Sequence, residues 1–118
     1  MIYFDRTGKA KVNKIERFLY DFSGKTVAFV NDEYVYNLRG EQLGTIEDGW
    51  IRDLRGCPVF YSSNHTGIGP IPPIPEIPPI PSIPEIPPIP PIPAIPRIKA
   101  IPSFSWSDQS FEAFFHRK

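Results

Sequence analysis

Apolar residues that favour β-strands recur every sixteen positions through the first 66 residues of the chain. Three consecutive positions in each repeat carry this pattern, and most of their residues are β-branched or aromatic. They are Ile2, Phe18, Tyr34 and Trp50 at the first position, Tyr3, Leu19, Val35 and Ile51 at the second, and Phe4, Tyr20, Tyr36 and Arg52 at the third. The repeat predicts four copies of one strand-containing unit, in which Arg52 breaks the apolar pattern.

Turn residues occupy fixed places in the same repeat. Asp or Asn stands three positions before a glycine in every unit: Asp5 and Gly8, Asp21 and Gly24, Asn37 and Gly40, Asp53 and Gly56. Such side chains accept hydrogen bonds from backbone N–H groups of a turn, and the glycine supplies the positive φ that ends it. We interpret the carboxylates as turn caps and not as an acid–base pair. The fold class is therefore all-β, with four antiparallel β-hairpins of sixteen residues in residues 1–66.

The strands are apolar on both faces. Successive side chains of a strand point to opposite sides, so a run such as Tyr34, Val35 and Tyr36 needs a covering layer on each side. One face packs inside the domain. The candidates for the second layer are the segment that follows the hairpins, the C-terminal residues or another copy of the chain.

Residues 67–102 follow a different period. Every third residue from Ile68 to Ile101 is isoleucine, and proline follows it in ten of the twelve triplets. Proline fixes φ and holds the preceding residue in the extended region, so the segment is predicted to form a polyproline II helix. Three residues per turn place the isoleucines on one edge. The candidate interaction residues on this edge are Ile71, Ile74, Ile77, Ile80, Ile83, Ile86, Ile89, Ile92, Ile95 and Ile98.

A regular apolar edge of this length favours an interface, because a stiff spacer does not need one. We expect the edge to be buried in the native assembly, either between copies of the chain or against the hairpins. A spacer and a ligand for another protein remain as alternatives. Glu76, Ser82 and Glu85 lie on another edge of the same helix, where we expect substitution to have little effect.

Residues 103–118 predict a short amphipathic helix. Ser107 and Asp108 are suited to its start, and Phe111, Phe114 and Phe115 share one face. The chain ends in His116, Arg117 and Lys118, which place positive charge at the end of the helix. A helix this short does not persist alone in water, so we expect its aromatic face to be docked.

Composition narrows the function classes. Thirteen basic and thirteen acidic residues cancel, which argues against nucleic acid and anionic membranes as partners. No signal peptide or transmembrane run is visible, so we expect a cytoplasmic protein. Cys57 is the only cysteine and lies at a hairpin exit, and His65 and His116 lack ligand-spaced neighbours. We therefore expect no enzyme activity, no metal and no cofactor.

The order of parts resembles one protein family. Residues 49–56 run into Val59, Phe60 and Tyr61, a Gly-Pro step leads into the isoleucine triplets, and Phe104 to Ser107 follow. Together they resemble the four-fold beta-flower domain family of bacterial proteins, a resemblance that implies a fold and no established activity. Members often carry arginine inside the triplets, where this chain has mainly proline, glutamate or a small residue. A weaker similarity, through residues 20–24 and 36–40, is to YD-type repeats.

Two functions fit these features. The first is a structural or interaction protein that self-assembles through the isoleucine edge and the hairpins, as a homo-oligomer with a tetramer as one possibility. The second is an adaptor whose proline-rich segment is a ligand for partner domains, since its prolines repeat the PxxP spacing many times.

Overall fold

A computed structural model describes residues 1–116. Its eight strands are β1 (Ile2–Phe4), β2 (Ala10–Ile15), β3 (Phe18–Tyr20), β4 (Thr26–Asn31), β5 (Tyr34–Tyr36), β6 (Gln42–Glu47), β7 (Trp50–Asp53) and β8 (Pro58–Ser62), followed by one helix, α1 (Phe111–Phe115). Every strand pairs antiparallel with its neighbours in chain order, and β1 pairs with β8. The predicted all-β class with four antiparallel hairpins is confirmed, and the hairpins close into a barrel.

Two kinds of turn alternate around this barrel. The Asp–Gly loops connect β1 to β2, β3 to β4, β5 to β6 and β7 to β8 at one end. Tight two-residue turns connect the hairpins at the other end, where Glu16, Asp32 and Asp48 have φ between 53° and 59°. Aspartate tolerates the left-handed region at modest cost, and such turns suit the twist of paired strands. All four long loops therefore lie on the same rim.

The interior is filled by one side of each strand. Leu19, Val35, Ile51 and Phe60 are fully buried in a single cluster that extends around the barrel. Because no strand is longer than six residues, the cavity is shallow and a few large side chains fill it.

Helix α1 closes the rim that carries the Asp–Gly loops. Phe114 and Phe115 are buried, and their rings lie 6.0 and 5.7 Å from the ring of Phe60. The helix is shorter than expected because Ser110 caps it, by accepting a hydrogen bond from the Ala113 N–H at 3.1 Å. The predicted start near Ser107 is wrong for this reason.

Ser107 has a different role at that rim. It is buried, and its hydroxyl donates to Asp53 Oδ2 at 2.7 Å, while Asp108 pairs with Arg55 at 3.0 Å. These contacts hold the chain against the barrel before the helix begins. Residues 117 and 118, expected to add charge to the helix end, lie outside the described residues.

The outward side of the barrel is also buried. It carries aromatic residues that are at most 4% exposed: Phe4, Tyr20, Phe29, Tyr36 and Tyr61. The covering layer comes from the same chain, because the Tyr36 hydroxyl donates to the Ala94 carbonyl at 3.0 Å and the Tyr61 hydroxyl donates to the Pro73 carbonyl at 2.8 Å. We call residues 68–103 the girdle, since they encircle the barrel.

The size of the molecule fits an extended girdle. Four spans of nine residues at the polyproline II rise of about 3.1 Å make a path of about 112 Å, the circumference of a circle about 36 Å across. The molecule measures 36 × 36 × 24 Å. A conformation with this rise therefore has the right length to run once around the barrel, with no helical or strand structure of its own.

Candidate functional site

The girdle meets the barrel once in each hairpin repeat. Backbone N–H groups spaced nine residues apart donate to the carbonyls of glycines spaced sixteen residues apart, at 2.8 to 3.0 Å. The four pairs are Glu76 to Gly8, Glu85 to Gly24, Ala94 to Gly40 and Ser103 to Gly56. Three triplets of the girdle thus match one hairpin of the barrel, and we call each nine-residue span a girdle unit.

Proline is absent at these contact points for a simple reason. A contact needs a backbone N–H group, which proline lacks. Two further residues at the third position of a triplet also donate: Ser82 to the Phe22 carbonyl at 3.0 Å and Arg97 to Gln42 Oε1 at 2.8 Å. Proline fills third positions such as 73, 79, 88 and 91, where the girdle donates no hydrogen bond to the barrel.

Two glutamates strengthen the contacts. Glu76 Oε2 accepts from the Ala10 N–H at 2.7 Å, and Glu85 Oε2 accepts from the Thr26 N–H at 2.8 Å. The hydrogen bond from Thr26 is the main reason why the pKa of Glu85 lies below its usual value. We expected substitution on this edge to have little effect, but the structure shows that its glutamate side chains and its N–H groups both bind the barrel.

The loop glycines also give the girdle room to approach. Gly24 has a φ of 90°, and a Cβ atom built on it would lie 2.5 Å from the Ile83 carbonyl oxygen. Gly56 has a φ of 86°, and its Cβ atom would overlap the Ile101 carbonyl oxygen. These glycines therefore meet two demands, a left-handed turn and a close backbone approach.

Arg52 joins the two ends of the girdle. It is 5% exposed, and its guanidinium donates to the carbonyls of Gly56 at 3.1 Å, Ser103 at 3.4 Å and Ile68. Its Cζ atom also lies 5.5 Å from the ring centre of Trp50. Burial lowers the pKa of this guanidinium, but a group with so high an ordinary pKa stays charged. Arg52 interrupts the aromatic pattern at the place where the carbonyls of the first and last girdle residues, Ile68 and Ser103, accept hydrogen bonds from its guanidinium.

The turn residues keep a repeated geometry. One side-chain oxygen of Asp5, Asp21, Asn37 and Asp53 accepts N–H groups two and four residues later, at 2.9 to 3.1 Å. The N–H groups of Gly8, Gly24, Gly40 and Gly56 donate to the carbonyls of the same four residues. The pKa of Asp21 is low, because burial raises it but the hydrogen bonds from Ser23 and Lys25 outweigh that effect.

The isoleucine side chains point away from the barrel. The eleven isoleucines at every third position from Ile71 to Ile101 are 86 to 98% exposed, and we call this row the isoleucine belt. Ile68, next to Arg52, is 44% exposed. Burial of the edge against the hairpins of the same chain, one of the two expected arrangements, is therefore wrong. Burial between copies stays a prediction.

The prolines and the aromatic wall explain this orientation. Many prolines that follow an isoleucine, such as Pro72, Pro75, Pro84 and Pro93, are partly buried. Proline covers the aromatic rings of the barrel without adding an N–H group that needs a partner. Since the inward edges are already apolar, burial of the wall does not require the isoleucines.

Residues with possible chemistry have structural partners. His65 bonds through Nδ1 to the Ser62 carbonyl at 2.8 Å and packs 4.9 Å from the ring of Trp50. Cys57 is half-buried and unpaired. Residues 1–116 contain no group of three His, Cys, Asp or Glu side chains arranged to hold a metal ion. Within the same residues, none of the helical structure has the length and apolar character to cross a membrane.

A groove of about 530 Å³ lies between the third Asp–Gly loop, the girdle and Phe115. Its polar lining is engaged in local contacts. Asn37 caps the loop, and Arg39 pairs with Glu41 at 2.8 Å. The isoleucine belt, rather than a cavity, is therefore the most unusual surface of the molecule.

Comparison with known proteins agrees with this architecture. Residues 1–115 match a family described as 4-fold beta flower protein. Searches of curated proteins and of solved structures found no match. The family description names a fourfold fold and no activity, and four hairpins with four girdle contacts account for it. With nearly its whole length matched, the chain belongs to the 4-fold beta flower family.

Proposed function

We propose that this protein is a non-catalytic structural or interaction protein that self-assembles through the isoleucine belt. The observation that carries the proposal is the exposure of eleven isoleucines, each at least 86% accessible, in one fixed row. Scattered apolar residues are normal on a protein surface, but a contiguous apolar row on an ordered support is typical of an interaction site.

The available area is large enough to matter. Burying one isoleucine contributes about 1.5 to 3 kcal/mol, which at about 25 cal/mol per Å² corresponds to about 60 to 120 Å². Eleven of them offer about 700 to 1,300 Å², comparable with the roughly 800 Å² that each partner contributes to a standard interface. The belt therefore suffices for stable association if most of it is covered.

The girdle is also prepared for binding. Backbone contacts at four places and the Arg52 guanidinium hold it on the barrel. A partner that binds the belt does not need to order a flexible segment, so little conformational entropy is lost.

The adaptor alternative draws support only from the surface position of the girdle. Domains that recognise PxxP ligands contact the prolines, but the prolines at the second position of many triplets are partly buried against the barrel. A partner approaching the surface meets isoleucine first. Release of the girdle would have to precede binding in that case.

Light scattering of the purified protein tests the proposal. The wild type should have a mass above that of one chain, and changing Ile74, Ile80, Ile86, Ile92 and Ile98 together to threonine should lower it to a monomer. The same five positions changed to valine are the matched control, because valine keeps the β-branched apolar edge. A monomeric wild type at all concentrations would contradict the proposal, and a girdle that proteases remove rapidly would favour the adaptor.

A further inference from the structure

The girdle consists of four units with unequal charge. Each spans nine residues and ends at a barrel contact: residues 68–76, 77–85, 86–94 and 95–103. Units one and two contain one glutamate each, Glu76 and Glu85, and unit three has no charged residue. Unit four contains Arg97 and Lys99, of which Lys99 pairs with Glu33 and Glu47 of the barrel. Each unit carries three isoleucines, although Ile68 in unit one is half covered.

A single neighbour covers only part of this surface. Isoleucines follow each other about 9 Å apart along a circle about 36 Å across. Two convex molecules of this size meet over about one unit, so each contributes about three isoleucines, or about 180 to 360 Å². That area is well below the roughly 800 Å² per partner of a standard interface. Burying the belt therefore requires more than one neighbour for each molecule.

Charge selects which units meet. Units two and four both present three isoleucines that are at least 86% exposed, on opposite sides of the barrel. Unit two is acidic through Glu85, and the exposed Arg97 side chain makes unit four basic. Complementary charges at the rim of an apolar contact set its orientation and its choice of partner.

Building on the self-association proposed above, we infer that unit four of one molecule binds unit two of the next. Such a contact joins two different surfaces, and it propagates without closing when the surfaces lie opposite each other. The product is an open string of molecules. Pairing of unit four with the acidic but adjacent unit one would turn each step by a quarter and close a ring of four, but unit one offers less apolar surface because Ile68 is half covered.

Unit-specific variants test this arrangement. One variant changes Ile77, Ile80 and Ile83 to threonine and removes the unit-two surface; another changes Ile95, Ile98 and Ile101 and removes the unit-four surface. Each should be monomeric alone, and an equimolar mixture should form dimers and nothing larger, since one good surface of each kind remains. The control changes Ile86, Ile89 and Ile92 in unit three and should still form strings. Thermal melting establishes that all three variants are folded.

Exchanging charges between units four and two gives an independent test of the contact between them. Arg97→Glu should weaken assembly at least tenfold, and adding Ser82→Arg on the facing unit should restore it. Both changes leave the backbone N–H contacts in place. High salt should reduce the difference between wild type and Arg97→Glu.

The outcomes separate the two proposals. Strings whose mass rises with concentration, together with dimers from the mixture, support both. A mass that stops at four copies, or equal sensitivity of all units, overturns the unit-four to unit-two contact but leaves self-association standing. A wild type that stays monomeric overturns both.

Discussion

In the barrel, residues 2–62, each strand is paired with a neighbour on both sides, whereas the girdle bonds to the barrel through one or two N–H groups in each unit. The barrel buries both faces of its strands. The girdle partly buries most of the prolines that follow its isoleucines and leaves the isoleucine side chains in solvent. Sequence reflects this difference, because barrel repeats alternate apolar residues with turn residues, while girdle repeats place proline at most positions that are neither isoleucine nor a contact with the barrel.

The comparison shows how a sixteen-residue repeat in the barrel and a nine-residue repeat in the girdle form one fourfold structure. Sixteen residues of hairpin and nine residues of girdle advance by the same quarter turn, because a hairpin folds back on itself and the girdle does not. The glycine carbonyls at 8, 24, 40 and 56 are the points where the two periods coincide. Changes at these points should therefore damage barrel and girdle together.

The largest effect is expected at Gly24. Gly24→Ala combines a strained positive φ, about 1 to 3 kcal/mol, with a clash against the Ile83 carbonyl, about 1 to 3 kcal/mol more. Gly67→Ala is the matched control, because its φ is 76° but its Cβ atom would meet only Asp48 Oδ2 at 3.6 Å. Chemical denaturation measures the free energy of unfolding of the Gly24→Ala and Gly67→Ala variants. Equal losses at the two positions would show that the girdle does not press on the Gly24 loop.

Substitution of Arg52 should cause the second-largest loss of stability, because this side chain joins the two ends of the girdle. Arg52→Met keeps the apolar stem but leaves the Ser103 and Ile68 carbonyls without their donor, at about 1 to 3 kcal/mol for each group that stays buried, whereas the Gly56 carbonyl keeps the Ser103 N–H. We expect proteases to cut near residues 68 and 103 before the barrel unfolds. The stability of Arg52→Lys should lie between those of Arg52→Met and the wild type, because one ammonium group reaches fewer carbonyls than a guanidinium does. A melting temperature for Arg52→Met equal to that of the wild type would show that Arg52 does not hold the two ends of the girdle.

Tyrosine hydroxyls on the barrel wall should contribute less. Tyr36→Phe removes one hydrogen bond to the Ala94 carbonyl and should cost about 0.5 to 1.5 kcal/mol. Tyr20→Phe is the control, because the Tyr20 hydroxyl makes no hydrogen bond with residues 1–116. Urea denaturation of the two variants distinguishes them. Identical stabilities would indicate that the girdle does not lie against the wall at Tyr36.

The smallest effect is a pH dependence at Glu85. Its pKa is lower in the folded state, so its stabilising contribution is present above the pKa of the unfolded chain and is lost as the pH falls through the folded value. The Thr26 amide resonance should shift over that acidic range, and Glu85→Gln should abolish the shift while keeping an acceptor for the N–H group. A Thr26 amide that does not respond to acid would place the carboxylate elsewhere.

Sequence alone predicts the hairpins well because their signals are local. Strand residues, caps such as Asp21 and glycines such as Gly24 act within a few positions of each other. Closure of the barrel through Tyr3 and Ser62 is not visible in the same way, because it joins the two ends of the repeat. No local pattern specifies such a pairing.

The girdle was predicted less completely, for two physical reasons. A period of three identifies an apolar edge, but it does not show whether that edge faces the barrel or the solvent. Proline is also apolar, so it can cover the aromatic residues of the barrel in place of isoleucine. A signal for the contacts of the girdle is nevertheless present in the sequence, because Glu76, Glu85, Ala94 and Ser103 replace proline at intervals of nine residues. Its meaning depends on the four glycine carbonyls, and these become neighbours of the girdle only in the folded molecule.

Residue-resolved amide exchange tests most directly whether the girdle is wound on the barrel. The girdle offers two sets of N–H groups to compare, those at 76, 85, 94 and 103, which bind glycine carbonyls, and those of the isoleucines, which belong to exposed residues. Measured by NMR on the monomeric threonine variant, the four contact amides should exchange far more slowly than those of the unchanged isoleucines Ile77, Ile83 and Ile89. Uniformly fast exchange along residues 68–103 would mean a free tail and would contradict the account.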